Sequence, residues 1–446
     1  MTTTTEAAAQ PRHHLLKILG VTFGVAVAIG QIIGSGILRA PSEIAREVPG
    51  IALIIGLWLL GAVQVSLSAN LNAELGTAIP RTGGGYNYVR RAMGDVFGLA
   101  VGWTDWLSNL AGAAAASVSF AEFLPLLVPA AADHKIAVAL ALQVALYAAN
   151  LAGLREGRVL QEVTSFIKAA MLFVFIVAAV LLISPPEPQT ILSSPAAFAW
   201  ANIIVAYQLI MGAYAGWNTP LAFAGENTDP GRSIPRAMFY GIALTAFLYV
   251  GVNWALLHAL GPQTVASSPL PFTIALSRIG GSVPAILFAI TAMITVASCS
   301  NACIMTAPRI LYALGRDRLL PNAFTNVNAG GSPTIAYLLT AVGTLALAAT
   351  GGFALVFGLI ATLNATSGFF VGISYWVLRR KEPQLPRPFR SFGYPVLPAI
   401  PPVLDAALIV LFTLASPKGG YVAIGMILLC IPFAWIAHRA RQRGIL

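Results

Sequence analysis

Almost the whole chain divides into apolar stretches long enough to cross a lipid bilayer, and this one feature leaves few folds open. Twelve such stretches fall near residues 18–46, 51–79, 97–129, 135–153, 159–184, 196–226, 236–260, 281–314, 333–350, 353–378, 394–415 and 420–438. A bilayer core takes roughly 20 residues of helix. Hydrocarbon offers nothing to an unpaired peptide group, so each stretch has to close its own hydrogen bonds as a helix. Only 9% of the residues are charged and 57% are hydrophobic, whereas soluble domains carry about 25% charged residues. The expected fold class is therefore all-α integral membrane with twelve transmembrane helices, and no room remains for a sizeable soluble domain. Residues 1–16 read as a disordered polar tail and 439–446 as a basic one. The first apolar segment is long and continues as an integral helix, so no cleavable signal peptide is expected.

A net charge of +10 raises the question of nucleic acid, but the distribution of the charge answers it. With the N-terminus in the cytoplasm, all basic residues except Arg39, Arg46, Lys135, Arg278, Lys418 and Lys168 fall in the even-numbered, cytoplasmic connections or the two tails. The first five lie outside, and Lys168 lies within a span. This is the positive-inside asymmetry of a multi-pass membrane protein with both termini in the cytoplasm. The partner implied is the lipid bilayer of a cell (inner or plasma) membrane, with no nucleic acid.

One segment is poorly suited to an unbroken helix. Gly30-Gln-Ile-Ile-Gly-Ser-Gly36 places three glycines and two polar side chains inside the first apolar stretch. Irregular backbone at membrane depth is tolerated only where protein or a water-filled cavity surrounds it. A helix broken here ends its leading half in free carbonyls and begins its trailing half with free amides, ends of opposite partial charge. A zwitterion such as an amino acid carries the matching pair. The sixth stretch repeats the anomaly in Met211-Gly-Ala-Tyr-Ala-Gly-Trp-Asn-Thr-Pro220. Paired interruptions at corresponding positions of two halves point to an inverted-repeat transporter with its site near the bilayer midplane.

The remaining chemistry-bearing residues are sparse. Cys299 and Cys303, one helical turn apart, have no histidine or third thiol beside them and read as small apolar packing, as does Cys430. The five histidines sit in tails or near span ends, without a metal-ligand or nucleophile–base pattern. Gly83–Gly85 lacks the strand and the Lys-Ser/Thr ending of a phosphate loop. Neither a membrane enzyme nor an ATP-driven pump is supported, and no metal or cofactor is expected. Asp105 and Glu122 read as acids near span ends, paired or solvated. Lys168, inside the fifth span, either snorkels to the surface or is functional, as intramembrane ionisable residues are by default. The stretch Glu74–Gly94, with a proline, a triple glycine and three arginines, reads as a structured cytoplasmic turn with a short amphipathic segment.

Four ordered segments, Gly34–Ile37, Glu74–Gly94, Tyr214–Asn218 with Gly225–Arg236, and Ala307–Arg318, together resemble the amino acid–polyamine–organocation (APC) transporters. Among these the chain is most similar to the L-type amino acid transporters and their bacterial relatives. The resemblance runs from about residue 17 to 390. It implies a 5+5 inverted repeat, LeuT-like, with spans 1 and 6 unwound: a first repeat over 17–184, a second over 196–378, and two accessory spans over 394–438. It implies that the amides of Ser35 and Gly36, next to Gly34, hold a substrate carboxylate. The carbonyls of Ile32, Gly212 and Ala215 would meet the ammonium, and Tyr214 and Asn218 would line the side-chain pocket or its gate. It also implies that Lys168 stands where sodium-coupled relatives bind sodium, reaching Gly30 or Ile33 and Ser298 or Ser300. Gly212 departs from the family pattern, which often has a large aromatic there. Either extra volume results or another residue fills the space. No cysteine lies in the external loops, so no disulfide-linked ancillary subunit is expected.

The function expected is secondary active transport of amino acids by alternating access, with a neutral substrate and no sodium dependence. Antiport by exchange and proton symport both remain open. A cationic amino acid or polyamine is the alternative substrate, and a non-transporting amino acid sensor the alternative class.

Overall fold

The computed structural model describes residues 20–48, 50–152, 157–184, 199–328, 332–350 and 352–432, together with 435 and 439. The N-terminal tail, most of the C-terminal tail and the first half of the charged turn at 155–158 lie outside the described residues. Among the described residues the regular elements are all helices. In chain order they are α1 (Val21–Ile32), α2 (Ser35–Glu47), α3 (Ile51–Ala78), α4 (Tyr86–Met93), α5 (Asp95–Phe123), α6 (Lys135–Ala152), α7 (Gly157–Leu182), α8 (Trp200–Ala213) and α9 (Thr219–Ala222). Then follow α10 (Pro230–Leu260), α11 (Pro262–Ser267), α12 (Pro271–Gly280), α13 (Ser282–Arg316), α14 (Thr334–Ala349), α15 (Phe353–Lys381), α16 (Val396–Ala415) and α17 (Pro417–Leu428). Nine described segments, with α1 and α2 taken together, are long and apolar enough to cross a membrane, and three shorter apolar helices accompany them.

Helix α7 shows how the sequence sorts its faces. Ser165, Lys168, Leu172, Phe175 and Ala179, spaced three and four apart, are buried, while Phe166, Phe173, Val174 and Leu181 are exposed. That is one helical stripe facing protein and another facing outward. The outward stripe is apolar here and on α3 (Leu59, Leu60, Val63), far more exposed apolar surface than a soluble monomer carries. The protein is a multi-pass membrane protein. Between helices, small residues allow close approach: α5 runs against α13 through a buried series that includes Ala113–Ala116, Ser117 and Ser119.

Two boundaries differ from expectation. The segment 225–236, expected as loop, already contains the start of α10, because Pro230 stands at a first-turn position that needs no N–H donor. The connection between the spans expected over 236–260 and 281–314 is not bare loop but holds two short helices, α11 and α12.

The end of α3 is locked to the connection that follows α15. Glu74, 1% exposed, accepts a two-pronged contact from Arg379 at 2.9 and 2.6 Å, a further contact from Arg387 at 3.1 Å, and the Ser391 amide at 2.8 Å. Asn70 pairs both ways with the Phe392 backbone. Beside this lock, α4 docks through Arg91 on Glu382 at 2.9 and 2.6 Å. Pairing of this kind offsets the cost of burying a carboxylate.

Candidate functional site

Helices α1 and α2 are one span with a gap. Ile33 leaves helical geometry with ψ 95°, Gly34 follows with φ −145° and ψ −143°, and the helix restarts at Ser35. Gly34 lies against Cys299, where any Cβ would overlap the sulfur. The second gap runs from Tyr214 to Asn218, between α8 and α9. Within it Gly216 has φ +100°, and a Cβ there would stand 2.7 Å from Cγ of Gln31. The two interruptions are therefore in direct contact. Gln31 fastens them, hydrogen-bonded to Thr219 of α9 and donating to Asn109 of α5 at 3.0 Å.

A helix end leaves up to four carbonyls without an intrahelical partner, and at the end of α1 each has another. Ile29 accepts the Ile33 amide at 2.8 Å. Gly30 accepts the Lys168 ammonium at 2.7 Å, Gln31 the Cys299 thiol at 3.3 Å, and Ile32 the Tyr249 hydroxyl at 2.7 Å. The same hydroxyl lies 3.2 Å from the Ala213 carbonyl at the end of α8, so one tyrosine bridges both broken ends. Each carbonyl keeps a second lone pair. The restarting end is different: α2 begins at Ser35 with no side-chain cap, which leaves its first amides free for a ligand.

Both gaps line one cavity of about 80 Å³. The α2 end contributes Gly34, Ser35 and Gly36, and the α8–α9 gap contributes Gly212, Ala215 and Asn218, with Ile32 between them. Partial negative charge from carbonyls and partial positive charge from amides thus face the same space. At one end the ring of Phe357 walls the cavity, and at the other it reaches the glycines 83–85 of the turn before α4. Beyond the walled end, Arg39 pairs with Glu122 at 3.2 Å and Glu43 at 3.6 Å.

Seven of the eight expected substrate-site residues, Asn218 among them, are thereby brought together around the cavity. Tyr214 is not. Its hydroxyl donates to the Trp58 carbonyl at 3.2 Å and its ring packs on Trp58 and Tyr249, with centroids 5.7 and 5.3 Å away, turned from the cavity because the buried hydroxyl finds its acceptor on α3. Lys168 is fully buried, so the snorkelling reading falls, and its partner is Gly30, not Ile33. Neither serine reaches it: Ser298 shares a hydrogen bond with Thr164 at 2.9 Å, and Ser300 accepts from Gln143 at 3.0 Å. Cys299, between these two serines, lines the cavity with Cys303.

Several cavity residues carried little signal. Tyr249 and Phe357 are aromatics in apolar helices, like many core residues. Asp105, expected near a span end and paired or solvated, stands instead well inside α5. It lines the cavity, and among the described residues no lysine, arginine or histidine forms an ion pair with it, whereas Glu122 is paired as expected.

A polytopic helical membrane protein whose cavity is built from the ends of two broken helices is the architecture of a solute permease. The chain belongs to the amino acid permease family, whose model matches residues 20–436. It is similar to the large neutral amino acids transporter small subunit 2 of Rattus norvegicus, 27% identical over 407 residues covering 86% of this chain and 74% of the relative. It is also similar to the serine/threonine exchanger SteT of Bacillus subtilis (25% over 311 residues, 69% and 70% covered). The Asc-type amino acid transporter 1 of Mus musculus matches at 25% over 457 residues, 96% and 82% covered.

Proposed function

We propose that this permease moves small neutral amino acids by alternating access around its two helix gaps, exchanging one for another without sodium. The observation that carries the reading is the meeting of the uncapped α2 start with the α1 and α8 carbonyl ends in one cavity. The Ser35 and Gly36 amides, helped by the Ser35 hydroxyl, hold the carboxylate. The second lone pairs of the Ile32 and Gly212 carbonyls, with Ala215, receive the ammonium, and Asn218 faces the side chain. Lys168 acts as a fixed cation on Gly30, so a bound sodium ion is not needed to prop the gap. The names of the relatives, a neutral amino acid transporter and an exchanger, support substrate class and exchange alike.

The topology follows the same reading. Twelve crossings comprise a repeat over 17–184, its inverted copy over 196–378 and two accessory spans over 394–438, with both termini in the cytoplasm. The cavity then reaches toward the cytoplasmic turn at 83–85, and the Arg39–Glu122 pair closes the outer side. One observation favours a second substrate reading. Asp105 in the cavity wall offers an acceptor to a hydroxyl or ammonium on the side chain, which suits serine and threonine and, at greater length, a cationic amino acid.

Purified protein in liposomes tests the proposal. Labelled alanine or serine should enter vesicles preloaded with unlabelled amino acid, with no gain from an imposed sodium gradient. Binding without flux would convert the permease into a sensor, and uptake driven only by a pH gradient would replace exchange with proton symport.

A further inference from the structure

We infer that Phe357 sets the upper limit on substrate side-chain size, an inference that rests on the small-amino-acid reading above. The observation is that one ring fills the space left by two glycines on different helices. A Cβ added to Gly36 would stand 2.8 Å from Ala213 Cα and 2.9 Å from both Ala213 Cβ and Phe357 Cζ. A Cβ added to Gly212 would stand 2.9 Å from Cε1, 3.2 Å from Cδ1 and 3.3 Å from the Phe357 carbonyl. Real side chains do not approach so closely, so the ring and a side chain at either glycine exclude one another. The glycines stand at the starting end of α2 and the closing end of α8, where a carboxylate and an ammonium would be held. The ring therefore bounds the space beside the substrate's Cα.

That wall is braced from behind. Phe357 is 3% exposed and stacks on Phe353 with centroids 4.9 Å apart and planes at 17°. The Arg39 guanidinium lies 5.2 Å from the Phe353 centroid and is itself held by Glu122. The stacked pair is thus backed by a guanidinium that is itself in an ion pair.

The test is competition for labelled alanine counterflow in proteoliposomes by unlabelled alanine, serine, threonine, leucine, phenylalanine and tryptophan. The wild type should be blocked by the small residues and at least tenfold less well by phenylalanine and tryptophan. Phe357→Ala should raise the ratio of phenylalanine to alanine affinity at least tenfold, whatever its absolute rate. A ratio unchanged within threefold overturns the inference, as does a wild type that accepts tryptophan as readily as alanine. Should Phe357→Ala fail to fold, Gly212→Ala decides. It should lose alanine counterflow, and Gly212→Ala/Phe357→Leu should regain it, because the collision is with the ring edge. Failure of the smaller ring-site residue to restore flux overturns the inference. A wild type that moves no amino acid refutes the transport reading instead, so the two failures are distinguishable.

Discussion

The Lys168 ammonium donates to the Gly30 carbonyl at 2.7 Å from a side chain with no exposed surface. A charge from α7 thus rests on the end of α1, at the place where that helix stops bonding to itself. Ser165, one turn before it, donates to the Ala26 carbonyl at 2.7 Å, one turn before Gly30. Two consecutive turns of α7 are clipped to two consecutive turns of α1, and the charged clip is the one nearest the gap.

Replacing Lys168 by methionine keeps the length and removes the charge. A charge-assisted hydrogen bond contributes about 1.5–3 kcal/mol, which corresponds to roughly 10- to 100-fold in an equilibrium constant. Alanine affinity of Lys168→Met, measured by binding to the purified protein, should fall by that range. An affinity within twofold of wild type would show that the gap holds its shape without the ammonium.

Tyr249→Phe removes the hydroxyl that joins Ile32 to Ala213. The loss of one neutral hydrogen bond is worth about 1 kcal/mol, or roughly fivefold in affinity. The variant should remain folded, since ring packing on Trp58 at 5.3 Å is kept. Binding isotherms of the two proteins at equal monodispersity check it.

Glu74→Ala leaves Arg379 and Arg387 facing each other with no carboxylate between them. Truncating one partner of a buried pair costs about 3–5 kcal/mol, so thermal unfolding in detergent should shift down by several degrees. Glu47→Ala, at the end of α2 and remote from this lock, is the control and should move the midpoint little.

The Arg91–Glu382 contact gives a pH signature. The Arg91 hydrogen bonds hold the Glu382 carboxyl below the usual carboxylate range. A folded value below the unfolded one means that the contribution is complete above the ordinary carboxylate pKa and is lost as pH falls through the depressed value. The midpoint difference between wild type and Glu382→Gln should be constant near neutrality and vanish in acid. Because the carboxyl is about one-third exposed, the difference should also shrink in high salt.

The gaps were legible because glycine and polar residues are costly in an apolar helix, so Gly30–Gly36 and Met211–Asn218 stood out against their neighbours. Lys168 was legible for the same reason. What stayed hidden depends on packing between distant segments. Tyr249 and Phe357 carry no polarity anomaly, and only the approach of α10 and α15 gives them their places. Asp105 stands four residues before Asn109 on α5, yet periodicity alone does not say which neighbour that face meets. Tyr214 has the chemistry of a site residue, but its buried hydroxyl donates to the Trp58 carbonyl, away from the cavity.

The most direct measurement is alanine binding to Ser35→Pro beside Ser35→Ala. Proline suits the first position of a helix, so α2 should still form while the Ser35 amide is gone. Affinity should drop at least 30-fold in Ser35→Pro and only a few-fold in Ser35→Ala, in proteins with matching unfolding midpoints. Undiminished binding by a folded Ser35→Pro would contradict the claim that the bare start of α2 holds the substrate.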